Sequence, residues 1–187
     1  MLKNSKFVNK CDFRDAVKSK VNLEPICMEC VNEWIKKPKD ILIISGAPGV
    51  GKSYMAAAIY HDWKAQGKQV VITTENDFFT EMRNLISEGH YDAEFEKYED
   101  LPFFIYDDFG TQTEGNRENL AWRKETLFRL FLARYESRLP TIITTNLSSQ
   151  DMYENFDARF YDRLCDSRNV YIELGGSSLR KNRSADI

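Results

Sequence analysis

Gly46-Ala47-Pro48-Gly49-Val50-Gly51-Lys52-Ser53 is the stretch that decides the fold. It fits the pattern GxxxxGK(S/T). Glycines at those places let a backbone wrap an anion without Cβ clashes, with the loop amides turned inward at the β- and γ-phosphates of a nucleotide. Lys52 adds a point charge to those phosphates, and Ser53 offers a hydroxyl to Mg²⁺. Tyr54, next in the chain, joins Gly46, Ala47, Pro48, Gly49, Val50, Gly51, Lys52 and Ser53 in the set expected to bind ATP. The flanks agree with this. Asp40-Ile-Leu-Ile-Ile-Ser is a short apolar run, as a buried parallel strand should be, and Tyr54 to Gln66 alternates as a helix does. A glycine-rich turn with no ligand is the bland alternative, and the order strand, glycine loop, helix speaks against it.

The same alternation continues outward. A segment over residues 1–38, helical from Glu24 to Lys37 and closed by Pro38, precedes a core over 39–187. Further apolar strands read at Gln69–Thr74, Pro102–Asp107, Pro140–Thr145 and Asn169–Leu174. Between them lie an amphipathic helix through Phe78, Phe79, Met82, Leu85 and Ile86, a long helix from Leu120 to Tyr135, and a helix whose stripe is Met152, Phe156, Phe160 and Leu164. Residues 90–100 read as loop or a short helix, and Gly110–Asn119 as a polar loop. The expected fold class is α/β: strands alternating with helices make a parallel sheet, whose ligands sit at the carboxyl ends of the strands.

Composition is that of an ordinary soluble domain, with 42% hydrophobic and 29% charged residues. A net charge of −3 advertises no general affinity for nucleic acid, so any such contact needs a local patch. No apolar stretch approaches the ~18 residues of a membrane span, and the first residues lack a signal-peptide core; the expected location is the cytoplasm. Of the four cysteines, Cys27 and Cys30 form a CxxC without a second ligand pair. Ile26, Cys27, Cys30, Val31, Trp34 and Ile35 share one helical stripe, so core filling competes with a metal or redox role and is the expectation.

Three strand ends carry the remaining chemistry. Phe103-Phe-Ile-Tyr-Asp107-Asp108 is an apolar strand ending in two acids, a Walker B pattern. Asp107 should hold Mg²⁺ and Asp108 should orient and polarise the attacking water. Asn146 ends Thr141-Ile-Ile-Thr-Thr; it either caps a turn or, if this strand lies between the first and third, faces the γ-phosphate as a sensor. Arg159 and Arg163 share one helical face. They either pair with Asp157 and Asp162 or supply an arginine finger to a neighbour's ATP, a contribution worth ~10³–10⁵ in rate.

With those residues in view, the chain resembles the AAA+ ATPases of the bacterial helicase-loader type, the DnaC/DnaI group and the related IstB transposition ATPases. The resemblance runs from about residue 40 to 181 and rests on the two Walker motifs together with four further stretches. These are Tyr98-Glu-Asp-Leu-Pro, Trp122-Arg-Lys-Glu-Thr-Leu-Phe with Arg134-Tyr135, Pro140–Leu147, and Asp162-Arg163-Leu followed by Gly176-Ser-Ser-Leu-Arg180. It implies a five-stranded parallel sheet of order 5-1-4-3-2 without a separate helical lid. It assigns Arg163 to the arginine finger and Arg180 to an arginine near the nucleotide; Leu179 stands where the family usually has an aromatic residue. ATP and Mg²⁺ are the implied cofactors. The implied partners are other copies of the chain, a replicative helicase or another replication or transposition protein, and single-stranded DNA. Phe78, Phe79 and Arg83 lie where loaders touch single-stranded DNA, although a core-facing stripe explains the phenylalanines better. About forty residues precede the first strand, fewer than the helicase-binding part of loaders.

The expected activity is therefore an ATP-hydrolysing switch. A nucleotide or small-molecule kinase on the same loop needs a lid segment that the sequence does not offer. A non-hydrolysing adaptor or decoy fits poorly with intact Lys52, Ser53, Asp107 and Asp108.

Overall fold

The computed structural model describes residues 25–110, 117–176 and 178. Cys11, Leu179, Arg180 and the side chain of Cys27 lie outside the described residues. Helix α1 (Pro25–Lys36) leads into β1 (Ile41–Gly46) and α2 (Lys52–Ala65). Then come β2 (Val70–Thr74), α3 (Glu75–Glu88), α4 (Tyr91–Glu99), β3 (Phe103–Phe109) and α5 (Arg117–Glu136). The chain continues through β4 (Thr141–Thr145), α6 (Ser149–Asn155), α7 (Ala158–Leu164) and β5 (Val170–Leu174). The strands form one parallel sheet in the order β2-β3-β4-β1-β5, which is 5-1-4-3-2 read from the other edge.

Each inner strand is buried on both faces, so it reads as an unbroken apolar run, and alternate residues feed two different cores. Ile41, Ile43, Phe104, Tyr106 and Ile143 meet the helices α3 to α7. That core is aromatic, with Phe78, Phe79, Phe95, Tyr98, Phe109 and Phe131 all at or near zero exposure. Leu42, Ile44, Ile72, Ile105 and Ile142 face the other way, onto α1 and α2. There Ala56 and Ala57, both fully buried, let α2 approach the sheet closely, and Trp34 and Trp63 close the layer with ring centroids 6.0 Å apart.

Several expectations change. The stripe Met152/Phe156/Phe160/Leu164 belongs to two helices rather than one. Phe156 is extended (φ −120, ψ 161), and Asp157 caps a new helix by accepting from the Arg159 amide at 2.8 Å. The stripe survives the break because Phe156 still stacks on Phe109, 4.8 Å between centroids. Cys30 is exposed rather than core filler, while Val31 and Trp34 of its stripe are buried. Ile86 is also exposed. Residues 91–99 are helical, and the helix after the polar loop begins at Arg117.

Candidate functional site

The loop between β1 and α2 is shaped by positions that only glycine fills. Gly46 has φ 141, and a Cβ there would sit 2.4 Å from the Leu174 carbonyl oxygen of β5. Gly49 has φ 89, and its Cβ would meet Ser178 Oγ at 2.2 Å. Gly51, also left-handed at φ 108, caps α2 without any side-chain hydrogen bond. The loop thus delivers the chain to the amino end of α2, where the helix dipole is positive and an anion is favoured.

Lys52 opens α2 and is 4% exposed. Its ammonium donates to Gly46 O at 2.7 Å, Ala47 O at 2.9 Å and Asn146 Oδ1 at 2.6 Å. β4 lies between β1 and β3, as the sensor reading of Asn146 requires, and the turn after β4 brings Asn146 to the loop lysine.

Asp107 and Asp108 lie beside it near the carboxyl end of β3, where the pairing with β4 shifts register between Tyr106 and Phe109. Asp107 is 3% exposed and accepts a short hydrogen bond from the Thr144 hydroxyl. Burial pushes its carboxyl up to about 6; the Thr144 and Ser53 hydroxyls and Lys52 pull it down, and Asp108 adds to the rise. Asp108 is half-buried, with left-handed backbone at φ 60, and its amide donates to Thr144 Oγ1 at 3.0 Å. Thr145 Oγ1 donates to Phe109 O at 2.8 Å. Two hydroxyls of β4 therefore hold the turn that carries the acids. Ser53 and Asp107 together offer hard oxygen donors, too few for a protein cage but suited to Mg²⁺, which keeps waters and phosphate oxygens as its other ligands. Among the described residues no cluster of three or more His, Cys, Asp or Glu could hold a metal by itself.

Arg163 is not part of this constellation. It lines a small cavity with Ile41, Phe128 and Phe160, and its guanidinium is 3.7 Å from Asp162. Ile41 begins β1 and Gly46 ends it, so about 17 Å of strand separates that cavity from the loop. Arg159 is exposed and pairs with Asp157 at 3.1 Å. Phe78 and Phe79 are fully buried, so they belong to the core and offer no surface for stacking bases. Sequence reasoning missed Thr144 and Thr145 as holders of the acid turn. It also missed a buried ion pair beneath that turn, Glu75–Arg123 at 3.1 Å. Polar residues closing an apolar strand were the available signal for the threonines. For Arg123 the signal was a charge on the stripe Arg123, Leu127, Leu130, Phe131.

Comparisons with known proteins bear on the fold and the family. The replicative helicase loader DnaC of Escherichia coli strain K12 is 27% identical over 140 residues, which are 74% of this chain and 55% of that protein. A Sinorhizobium fredii protein named as insertion sequence ATP-binding protein y4iQ/y4nD/y4sD is 30% identical over 132 residues, 71% of this chain and 42% of that one. The chain thus spans about half the length of the curated relatives it matches. Among solved structures, a DnaC helicase loader superposes with a TM-score of 0.73 at 18% identity, covering 91% of this chain and all of that one, which supports the shared AAA+ P-loop fold. The family model for the IstB-like ATP binding protein matches residues 1–186. This chain belongs to the IstB-like ATP-binding protein family.

Proposed function

We propose that the chain is an ATP-binding and ATP-hydrolysing switch that acts on a DNA-replication protein, in the manner of a helicase loader. The observation that carries the reading is the meeting of Lys52 Nζ and Asn146 Oδ1 at 2.6 Å, one strand away from Asp107 and Asp108. The loop amides and Lys52 bind and neutralise the β- and γ-phosphates. Ser53 and Asp107 would hold Mg²⁺, which when bound neutralises phosphate charge. Asp108 orients the attacking water and draws its proton, and Asn146 senses the γ-phosphate by exchanging its lysine contact. Arg163, remote from its own loop, completes the site of a neighbouring copy. Arg180 would lie near the nucleotide and residues 39–187 would form the ATPase core. The setting is the cytoplasm; no helix among the described residues is long and apolar enough to cross a membrane.

ATP turnover against protein concentration tests this. Lys52→Ala should lose nucleotide binding, Asp108→Asn should bind ATP without hydrolysing it, and Arg163→Ala should do the same. Mixing Arg163→Ala with Lys52→Ala should restore part of the activity. A high turnover independent of concentration, or no complementation, would sink the shared site.

The family description and the Sinorhizobium relative favour a second reading, an ATPase of insertion-sequence transposition. Capture on a purified replicative helicase, with a transposase as the parallel bait and a non-hydrolysable ATP analogue present, separates the two. Binding to the helicase alone supports loading, and binding to the transposase alone supports transposition.

A further inference from the structure

The turn that carries Asp108 is gripped from two sides. β4 supplies Thr144 and Thr145 on one side. On the other, Glu75 at the first position of α3 accepts from the Gly110 amide at 2.6 Å through Oε2. Its Oε1 takes Arg123 Nη2 at 3.1 Å. The two side chains are 3% and 7% exposed, and the Arg123 guanidinium lies 4.0 Å from the centre of the Phe79 ring.

A buried ion pair is weak evidence of stabilisation, because an apolar pair of similar volume often serves the fold equally well. Its placement is what matters here. Glu75 sits where β2 ends, next to the strand that ends in the two acids. The amide it holds is two residues beyond Asp108. Asp108 keeps a left-handed backbone, which in a non-glycine residue persists only where the surroundings over-determine it. Gly110 follows with left-handed backbone at φ 77, which glycine adopts without strain.

We infer that Glu75, itself fixed by Arg123, is a positioning residue for Asp108, holding the Gly110 amide so that the turn aims the Asp108 carboxylate at the attacking water. This rests on the role given to Asp108 above. Glu75 acts through the Gly110 amide, so its loss should act on hydrolysis and leave nucleotide binding alone. α5, which carries Arg123, thereby becomes a mechanical support of the hydrolytic turn.

The test uses the full chain with Glu75→Met/Arg123→Met, which replaces the ion pair by an apolar pair and leaves no unpaired buried charge. A misplaced catalytic group costs on the order of 10²-fold in rate, so turnover should fall ~10–100-fold while affinity for an ATP analogue stays within about threefold. In the nucleotide-free protein, hydrogen exchange of a peptide containing Phe109 and Gly110 should accelerate. Glu75→Gln/Arg123→Met, which keeps an acceptor for the amide without stranding the guanidinium beside an amide NH2, should retain most of the turnover. Wild-type turnover in the double-methionine variant, parallel loss of affinity, unchanged exchange, or a Glu75→Gln/Arg123→Met protein as slow as the double-methionine variant would each overturn the inference. Asp108→Asn in the same series separates the two levels. If it is inactive while the double-methionine variant is normal, only the role of Glu75 falls; if Asp108→Asn hydrolyses ATP normally, the reading beneath it falls as well.

Discussion

Lys52 and Arg134 are both buried cations, at opposite ends of one sheet, and their partners divide function from architecture. Arg134 has no exposed surface and sits where β3 and β4 begin. Its Nε donates to Thr141 Oγ1 at 2.8 Å, Nη1 to the carbonyls of Tyr98, Glu99 and Leu101 at 2.9, 3.2 and 2.9 Å, and Nη2 to Pro140 O at 3.0 Å. A guanidinium has a fixed fork of donors, and here the fork ties three stretches of chain together. Burial pushes the guanidinium down to about 9, so it stays charged at neutral pH. Lys52 has a compact ammonium held by two loop carbonyls and Asn146 Oδ1, oxygens of a glycine loop and a strand-end turn. Those partners can be exchanged for phosphate oxygens without dismantling a strand. A buried cation whose acceptors are the backbone of several elements holds the fold, whereas one whose acceptors belong to a single loop and a sensor side chain can hold a ligand.

The sharpest way to break this contrast is to remove each cation. Arg134→Met should cost the most, about 3–5 kcal/mol in a urea melt, because the carbonyls of Tyr98, Glu99 and Leu101 lose a charged donor, while Pro140 O keeps the Phe104 amide and Thr141 keeps Leu139 O. The fraction that folds should bind an ATP analogue within about threefold of wild type. Lys52→Met should do the reverse: affinity falls ~10²–10³-fold, as expected for loss of one partner of a desolvated charge pair, with little change in the melt. If Arg134→Met lost affinity at unchanged stability, the two ends would not be separable in this way.

The contrast also explains what the sequence made legible. The loop lysine announces itself because glycines, lysine and serine at fixed spacing have few other uses, and the acids stand out because they end an apolar strand. The parallel sheet follows from five such runs alternating with helices. Arg134 is equally buried, and although Arg134-Tyr135 helps carry the resemblance, nothing local gives its role; its acceptors are mostly carbonyls, which any residue supplies, so its place on the stripe Leu127, Leu130, Phe131 is the physical hint of burial. The break at Phe156 was hidden for a related reason: side chains kept the helical spacing while the backbone did not. Cys30 was misread because a stripe at the edge of a helix shades into solvent without any change in spacing.

Burial penalises charge at both ends of the sheet, but only the cost at the carboxyl end changes between pH 4 and 8. The Asp107 carboxyl is raised to about 6, chiefly by burial, so between roughly pH 4 and 6 the folded protein binds more protons than the unfolded chain. Stability from this group is therefore complete below pH 4 and falls as pH rises through 6. Asp107→Asn should stabilise the metal-free protein above pH 6, by on the order of 3 kcal/mol, and leave it unchanged near pH 4. Urea melts of both proteins at pH 4 and pH 7.5 check this; an equal effect at the two pH values would mean that Asp107 is not held against its ionisation.

The finest test lies within β4, which places a threonine at each end of the sheet. Thr141 Oγ1 accepts from Arg134 Nε and donates to Leu139 O at 2.9 Å. Thr144 Oγ1 donates to Asp107 and accepts from the Asp108 amide. Valine keeps the shape and strand preference of either residue, so each substitution removes only the hydroxyl. Thr141→Val should cost about 1 kcal/mol at any pH from 4 to 8, since Arg134 retains its four carbonyls, and should leave ATP turnover as it was. Thr144→Val should cost a similar amount at pH 7.5 and less at pH 4, because the ionised Asp107 loses a donor that the protonated acid does not need. Turnover should fall with it, since the Asp108 amide loses its anchor. A pH-independent cost for Thr144→Val, or a loss of turnover in Thr141→Val, would show that the hydroxyls along this strand are not divided between the two ends.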